Sequence, residues 1–117
     1  MRLQQIYRLT TFIPPKHFDI VLDAITAQAP LIYGPYEHSA WWCAGTEQFR
    51  PLPGAVPTVG AVGETERLPT MRLEFAIPRE TELLDRVLDA LIAAHPWQEA
   101  AVFIDESTAK ISHPASQ

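Results

Sequence analysis

Two histidines and two carboxylates, His38, His95, Glu74 and Glu99, are the side chains best suited to hold a ligand. Imidazole nitrogens and carboxylate oxygens together suit a divalent metal ion, and the imidazoles also suit a small anion. No HxxxH or HExxH run joins them, so the fold must assemble any such site. His95 has a structural alternative, because imidazole at a helix C-terminus is favoured by the helix dipole. His17 falls on the polar side of a helix and His113 in a tail, and neither points to a site. A metal-dependent hydrolase would need three or more of His38, Cys43, Glu66, Glu74, His95 and Glu99 around one point.

Other chemistry finds less support. Cys43 is the only cysteine, follows two tryptophans and reads as a packed or half-exposed strand residue. It has no CxxC partner, and a reactive thiolate needs an accessible, electropositive neighbourhood. No serine lies in a GxSxG elbow. The run Gly54-Ala-Val-Pro-Thr-Val-Gly60-Ala-Val-Gly63 lacks the Lys-Ser or Lys-Thr of a phosphate loop, and a strand follows it where a dinucleotide fingerprint needs a helix. It reads as a hairpin with glycine-dependent turns. Glu64 and Glu66 read as solvated carboxylates of that hairpin.

The elements that must position these residues are legible in the patterning. Residues 6–13 form a β-branched and aromatic strand, ended by Pro14-Pro15. Phe18, Val21, Leu22 and Ile25 recur at helical spacing, with Pro15 in the first turn and Pro30 as the stop. Residues 31–43 read as an aromatic second strand. Within it Trp41 and Trp42 must face opposite ways, so one core tryptophan leaves the other outside. Between Ala44 and Pro69 a protruding hairpin, or short strands near Gln48–Arg50 and Ala61-Val62, is expected. Met71, Leu73, Phe75 and Ile77 alternate with Arg72, Glu74 and Ala76, a strand with one buried face. Leu83, Leu84, Val87, Leu88, Leu91 and Ile92 stripe a second helix, with Glu80 and Glu82 at its positive end and His95-Pro96 at its stop. Residues 100–104 form the last strand. The order predicts an α+β fold, a two-layer ferredoxin-like sandwich (βαββαβ) over residues 1–107, with 108–117 as a C-terminal tail.

The chain has 117 residues, enough for one domain without metal or disulfide staples. Nine Lys and Arg against fourteen Asp and Glu give a formal charge of −5, with no basic run for nucleic acid or for a membrane surface. One cysteine permits no intrachain disulfide. No apolar stretch is long enough to span a bilayer, and the first residues lack the apolar core of a signal peptide, so a cytoplasmic location is expected.

The motifs also form an ordered series. It runs from Tyr7–Pro14 through Gly34-Pro35-Tyr36-Glu37-His38, Gly45–Pro51, Gly54–Pro57 and Gly60–Gly63 with Glu66. Arg72-Leu73-Glu74 and His95-Pro96-Trp97-Gln98-Glu99 complete it. In this series the chain resembles the insertion domain of the NGG-one-interacting-factor-three-like dinuclear-metal proteins, a domain akin to the PII signalling proteins and CutA. The resemblance covers about Tyr7 to Asp105. The family usually carries Gly-Asn-Tyr where this chain has Gly34-Pro35-Tyr36, and His-Pro-Tyr-Glu-Glu where it has His95-Pro96-Trp97-Gln98-Glu99. The loss of a carboxylate at Gln98 weakens a metal site built on that run.

The family's dinuclear centre, and the hydrolase labels attached to it, belong to the domain that surrounds the insertion. The resemblance therefore implies a PII/CutA-like module without catalysis. It would be a closed homo-oligomer, a trimer by analogy or else a dimer. Its role would be regulatory, or the binding of a divalent metal ion or small ligand near His38, His95, Glu74 and Glu99. A purely structural interaction module is the main alternative.

Overall fold

A computed structural model of the protein describes residues 1–112, which leaves His113 and the end of the expected tail outside the described residues. The chain runs through β1 (Arg2–Ile13), α1 (Phe18–Gln28), β2 (Trp41–Phe49), β3 (Glu66–Pro78), α2 (Thr81–Ala94) and β4 (Val102–Ile111). One 3-10 turn, Pro15–His17, leads into α1; proline fits there because the first turn leaves its N–H without a partner anyway. The strands form one antiparallel sheet in the order β2-β3-β1-β4. This is the expected α+β, ferredoxin-like βαββαβ fold.

Register explains the two layers. Leu9 pairs with Phe75 on one side and Ile104 on the other, and Leu73 pairs with Trp42. Opposed residues share a face, so Leu9, Thr11, Ile13, Leu73, Phe75 and Ile77 all turn toward the helices. There they pack on Phe18, Val21 and Ile25 of α1 and on Val87 and Leu91 of α2. Seven of these aliphatic side chains are completely shut off from solvent (Leu9, Ile13, Val21, Ile25, Leu73, Val87, Leu91). Each contributes about 1.5–3 kcal/mol by burial. Among the described residues, no helix covers the other face. There Trp41, Cys43, Arg72, Glu74, Phe12 and Phe103 stand on neighbouring strands.

Several features differ from the sequence expectation. The second strand begins at Trp41 rather than residue 31. Residues 31–40 instead fold into a tight loop, closed by a Tyr33–Tyr36 bridge and by His38 N–H to Pro30 O at 2.7 Å. Leu31 and His38 both take left-handed backbone there, with φ of 51° and 56°, which no strand allows. The expected hairpin is present and extends past the end of β1. Its tip, residues 50–65, folds back on the rest of the chain, and Ala61-Val62 form a turn rather than a strand. The last strand continues to Ile111, through residues expected to fray, because β1 reaches back to Arg2 and pairs with it. Cys43 is exposed rather than packed. The two tryptophans do point to opposite faces, and each is half-exposed: Trp42 lies 5.0 Å from Phe18 on the helix side, while Arg72 covers Trp41 on the open side.

Candidate functional site

The α2–β4 connection organises one end of the sheet. Helix α2 ends at Ala94 because His95 turns extended and Pro96 follows. His95 is buried, and its ring makes two hydrogen bonds to backbone. Nδ1 accepts the Trp97 N–H at 3.2 Å, so Nε2 carries the proton and donates to the Phe12 carbonyl at 2.7 Å. The Trp97 ring meets Phe49 edge-on at 4.9 Å and His95 at 6.1 Å.

The hairpin tip closes over this connection. Gln98 Oε1 accepts the Val56 N–H at 2.8 Å, and Thr58 Oγ1 donates to the Pro96 carbonyl at 2.9 Å. The tip can double back because Gly54, Gly60 and Gly63 all sit at positive φ. Gly60 is the most constrained, since a Cβ there would lie 2.8 Å from Glu66 Cγ.

Between the tip, the connection and the open face lies a cavity of about 330 Å³. Phe12, Phe49 and Trp97 give it aromatic walls, and Glu47, Arg50 and Glu99 bring charge. Glu47 is half-buried, and its Oε2 has neither solvent contact nor a hydrogen-bond partner among the described residues. A larger cavity, about 450 Å³, opens at the opposite end among Arg2, Pro30, Leu31, Pro78 and Ile111, and it is lined by no carboxylate or imidazole.

The four residues expected to share a ligand are not brought together. His38 follows the C-terminal end of α1, whereas His95 caps the C-terminal end of α2, and the two helices run in opposite directions along the sheet. Both His95 nitrogens are already engaged, which leaves no lone pair for a metal. Glu74 stands on the open face, bridged to Arg72 at 3.4 Å. Glu99 alone lines the cavity. Among the described residues, no three His, Cys, Asp or Glu side chains converge to hold a metal ion.

Of the cavity residues, only Glu99 belongs to the expected set; Phe12, Glu47, Phe49, Arg50 and Trp97 are among those it lacks. A signal was available for two of them: Glu47 and Phe49 alternate along β2 and so share the open face. Among the described residues, no helix is long and apolar enough to cross a membrane.

The chain's relatives fit this geometry. No family model matches it. It is 37% identical over 90 residues to a Mycobacterium leprae protein named GTP cyclohydrolase 1 type 2 homolog, covering 77% of this chain and 23% of that one. A Bacillus subtilis protein of the same name is 34% identical over 94 residues, covering 80% and 25%. The chain thus spans about a quarter of the length of the curated relatives it matches.

Among solved structures, a Bacillus cereus protein related to NIF3 superposes with a TM-score of 0.75 at 26% identity, over 92% of this chain and 27% of that one. CutA from Synechococcus elongatus gives 0.63 at 13% identity, over 92% and 85%. A nitrogen regulatory PII-like protein from Thiomonas intermedia, solved with ADP, AMP and bicarbonate, gives 0.54 at 15% identity, over 95% and 99%. The last two establish the fold alone.

Proposed function

From the correspondence of this chain to a segment of the NIF3-related proteins, and from its PII/CutA-like fold, we propose that it is a non-catalytic, self-associating module that binds a small ligand. The observation that carries this reading is the open sheet face. Trp41 and Phe103 are 51% and 61% exposed there, next to Cys43 and Phe12, and no helix among the described residues covers them. Exposed aromatics grouped on one face fit an interface core. A second copy of the chain is the occupant that the PII and CutA resemblance implies, with a trimer as the expected closed form.

A binding role, rather than catalysis, is supported by the state of His95. Among the described residues, the imidazole next to the cavity, His95, is spent on backbone hydrogen bonds and has no nitrogen free to act as a base.

Light scattering at micromolar concentration tests the assembly. A mass of three chains is expected, and a monomer would remove the claim. Trp41→Glu is expected to reduce the mass to that of one chain.

A further inference from the structure

We propose that the larger cavity, at the end of the sheet away from the hairpin tip, binds an amphiphilic carboxylate, an anionic head on an aliphatic body. Its depth and its mouth differ in chemistry. Leu31, Ile77 and Ile111 line it and are buried, so they form the depth, and Leu83 of α2 adds a further aliphatic wall. Arg2 and Ile32 line it and are exposed, so they mark the mouth. The walls are held in place by hydrogen bonds. Arg2 stands opposite Ile111 in the β1–β4 ladder, and the Tyr33 hydroxyl ties the loop that carries Leu31 and Ile32 to the Lys110 carbonyl.

Among the described residues, Arg2 is the only charged residue in this lining, and it forms no ion pair. A ligand that matches the cavity carries its apolar body inward and a negative charge outward. A carboxylate suits the guanidinium, which can meet it with two parallel N–H donors. Both groups stay in contact with water at the mouth, so the pair adds at most about fivefold to affinity. The aliphatic body supplies the rest, about fourfold for each methylene removed from water. A volume of about 450 Å³ falls within the range of small-molecule sites.

This inference deepens the reading of the chain as a binding module and rests on it for the existence of a ligand, but not on self-association. A monomer in light scattering leaves the titration below readable, and a failed titration leaves the mass of the assembly unaffected.

The test uses the full chain, labelled with 15N, and three probes: sodium octanoate, octan-1-ol and sodium acetate. Octanoate is expected to shift the backbone amides of Leu31, Ile32, Leu83 and Ile111, and to bind about fivefold more tightly than octan-1-ol. Acetate, with the charge but no apolar body, is expected to leave those amides unmoved. Arg2→Gln is expected to abolish the preference for octanoate while octan-1-ol still binds. Ile32→Glu places a carboxylate at the mouth and is expected to weaken octanoate more than octan-1-ol, with no change in the mass of the assembly. Equal binding of octanoate and octan-1-ol would overturn the proposal. So would a preference that survives Arg2→Gln, or octanoate shifts confined to Trp97 and the hairpin tip. A smaller assembly in Ile32→Glu would also overturn it, since a second copy would then be what covers the mouth.

Discussion

His95 Nε2 lies 2.7 Å from the carbonyl oxygen of Phe12, and this contact fastens the end of α2 to the end of β1. The same ring receives the Trp97 N–H, so one buried side chain aligns a helix, a strand and the connection that walls the cavity. His95→Ala removes both bonds and leaves the Phe12 carbonyl and Trp97 N–H to find new partners. A loss of about 2–4 kcal/mol is expected in urea unfolding, with no change in the response to divalent cations. A stability unchanged by the substitution would show that the ring does not fasten these elements.

Arg79 plays the corresponding role at the other end of the sheet. Its Nε donates to the Ile6 carbonyl at 3.2 Å and its Nη2 to the Ser107 carbonyl at 2.7 Å, which joins β1 to β4. Lysine presents one compact ammonium in place of a planar fork. Arg79→Lys is therefore expected to cost about 1–2 kcal/mol, and to speed amide exchange at Ser107 and its neighbours in β4.

Gly60 answers to both backbone and space. Its φ of +91° disfavours any side chain, and an added Cβ would meet Glu66 Cγ. Gly60→Ala is expected to destabilise by about 1–2 kcal/mol. Adding Glu66→Ala should recover only part of the loss, because the backbone strain stays. Full recovery in the double variant, measured by thermal unfolding, would show that crowding was the whole effect.

Cys43 reports on the proposed interface. The thiol is exposed in the isolated chain and stands on the open face, across from Arg72. In the wild-type assembly its reaction with a thiol reagent is expected to be at least tenfold slower than in Trp41→Glu. Equal rates in the two proteins would argue that this face stays open.

The parts of the fold that one layer of contacts decides were readable from residue order. Met71–Ile77 alternate because one face of β3 meets the helices, and Val87 and Leu91 fall on one stripe of α2 for the same reason. The outer strands gave weaker signals. β4 is exposed or only half-buried along most of its length, so Thr108–Lys110 show no apolar alternation and read as a tail. The aromatic run near Tyr33 looked like a strand. Two left-handed residues, Leu31 and His38, forbid that, and no residue type announces such backbone.

The site was less legible still. His95 reads as a potential ligand because its partners are a carbonyl 83 residues away and an amide 2 residues on, and main-chain atoms leave no trace in residue types. The convergence of Glu47 with Trp97 depends on a hairpin folding back over a connection that follows it by more than thirty residues.

The fastening of Val56 and Thr58 to Gln98 and Pro96 divides the hairpin tip into tolerant and intolerant ground for protein engineering. Leu52 is 73% exposed and lies before the fastened stretch, so a peptide tag spliced between Leu52 and Pro53 would break the Ala55 N–H to Leu52 carbonyl turn bond but keep both fastenings of the tip. The same tag spliced between Val56 and Thr58 would unlatch the roof. A pair of such grafts, differing by four positions, would convert the tip from an inert handle into a release catch.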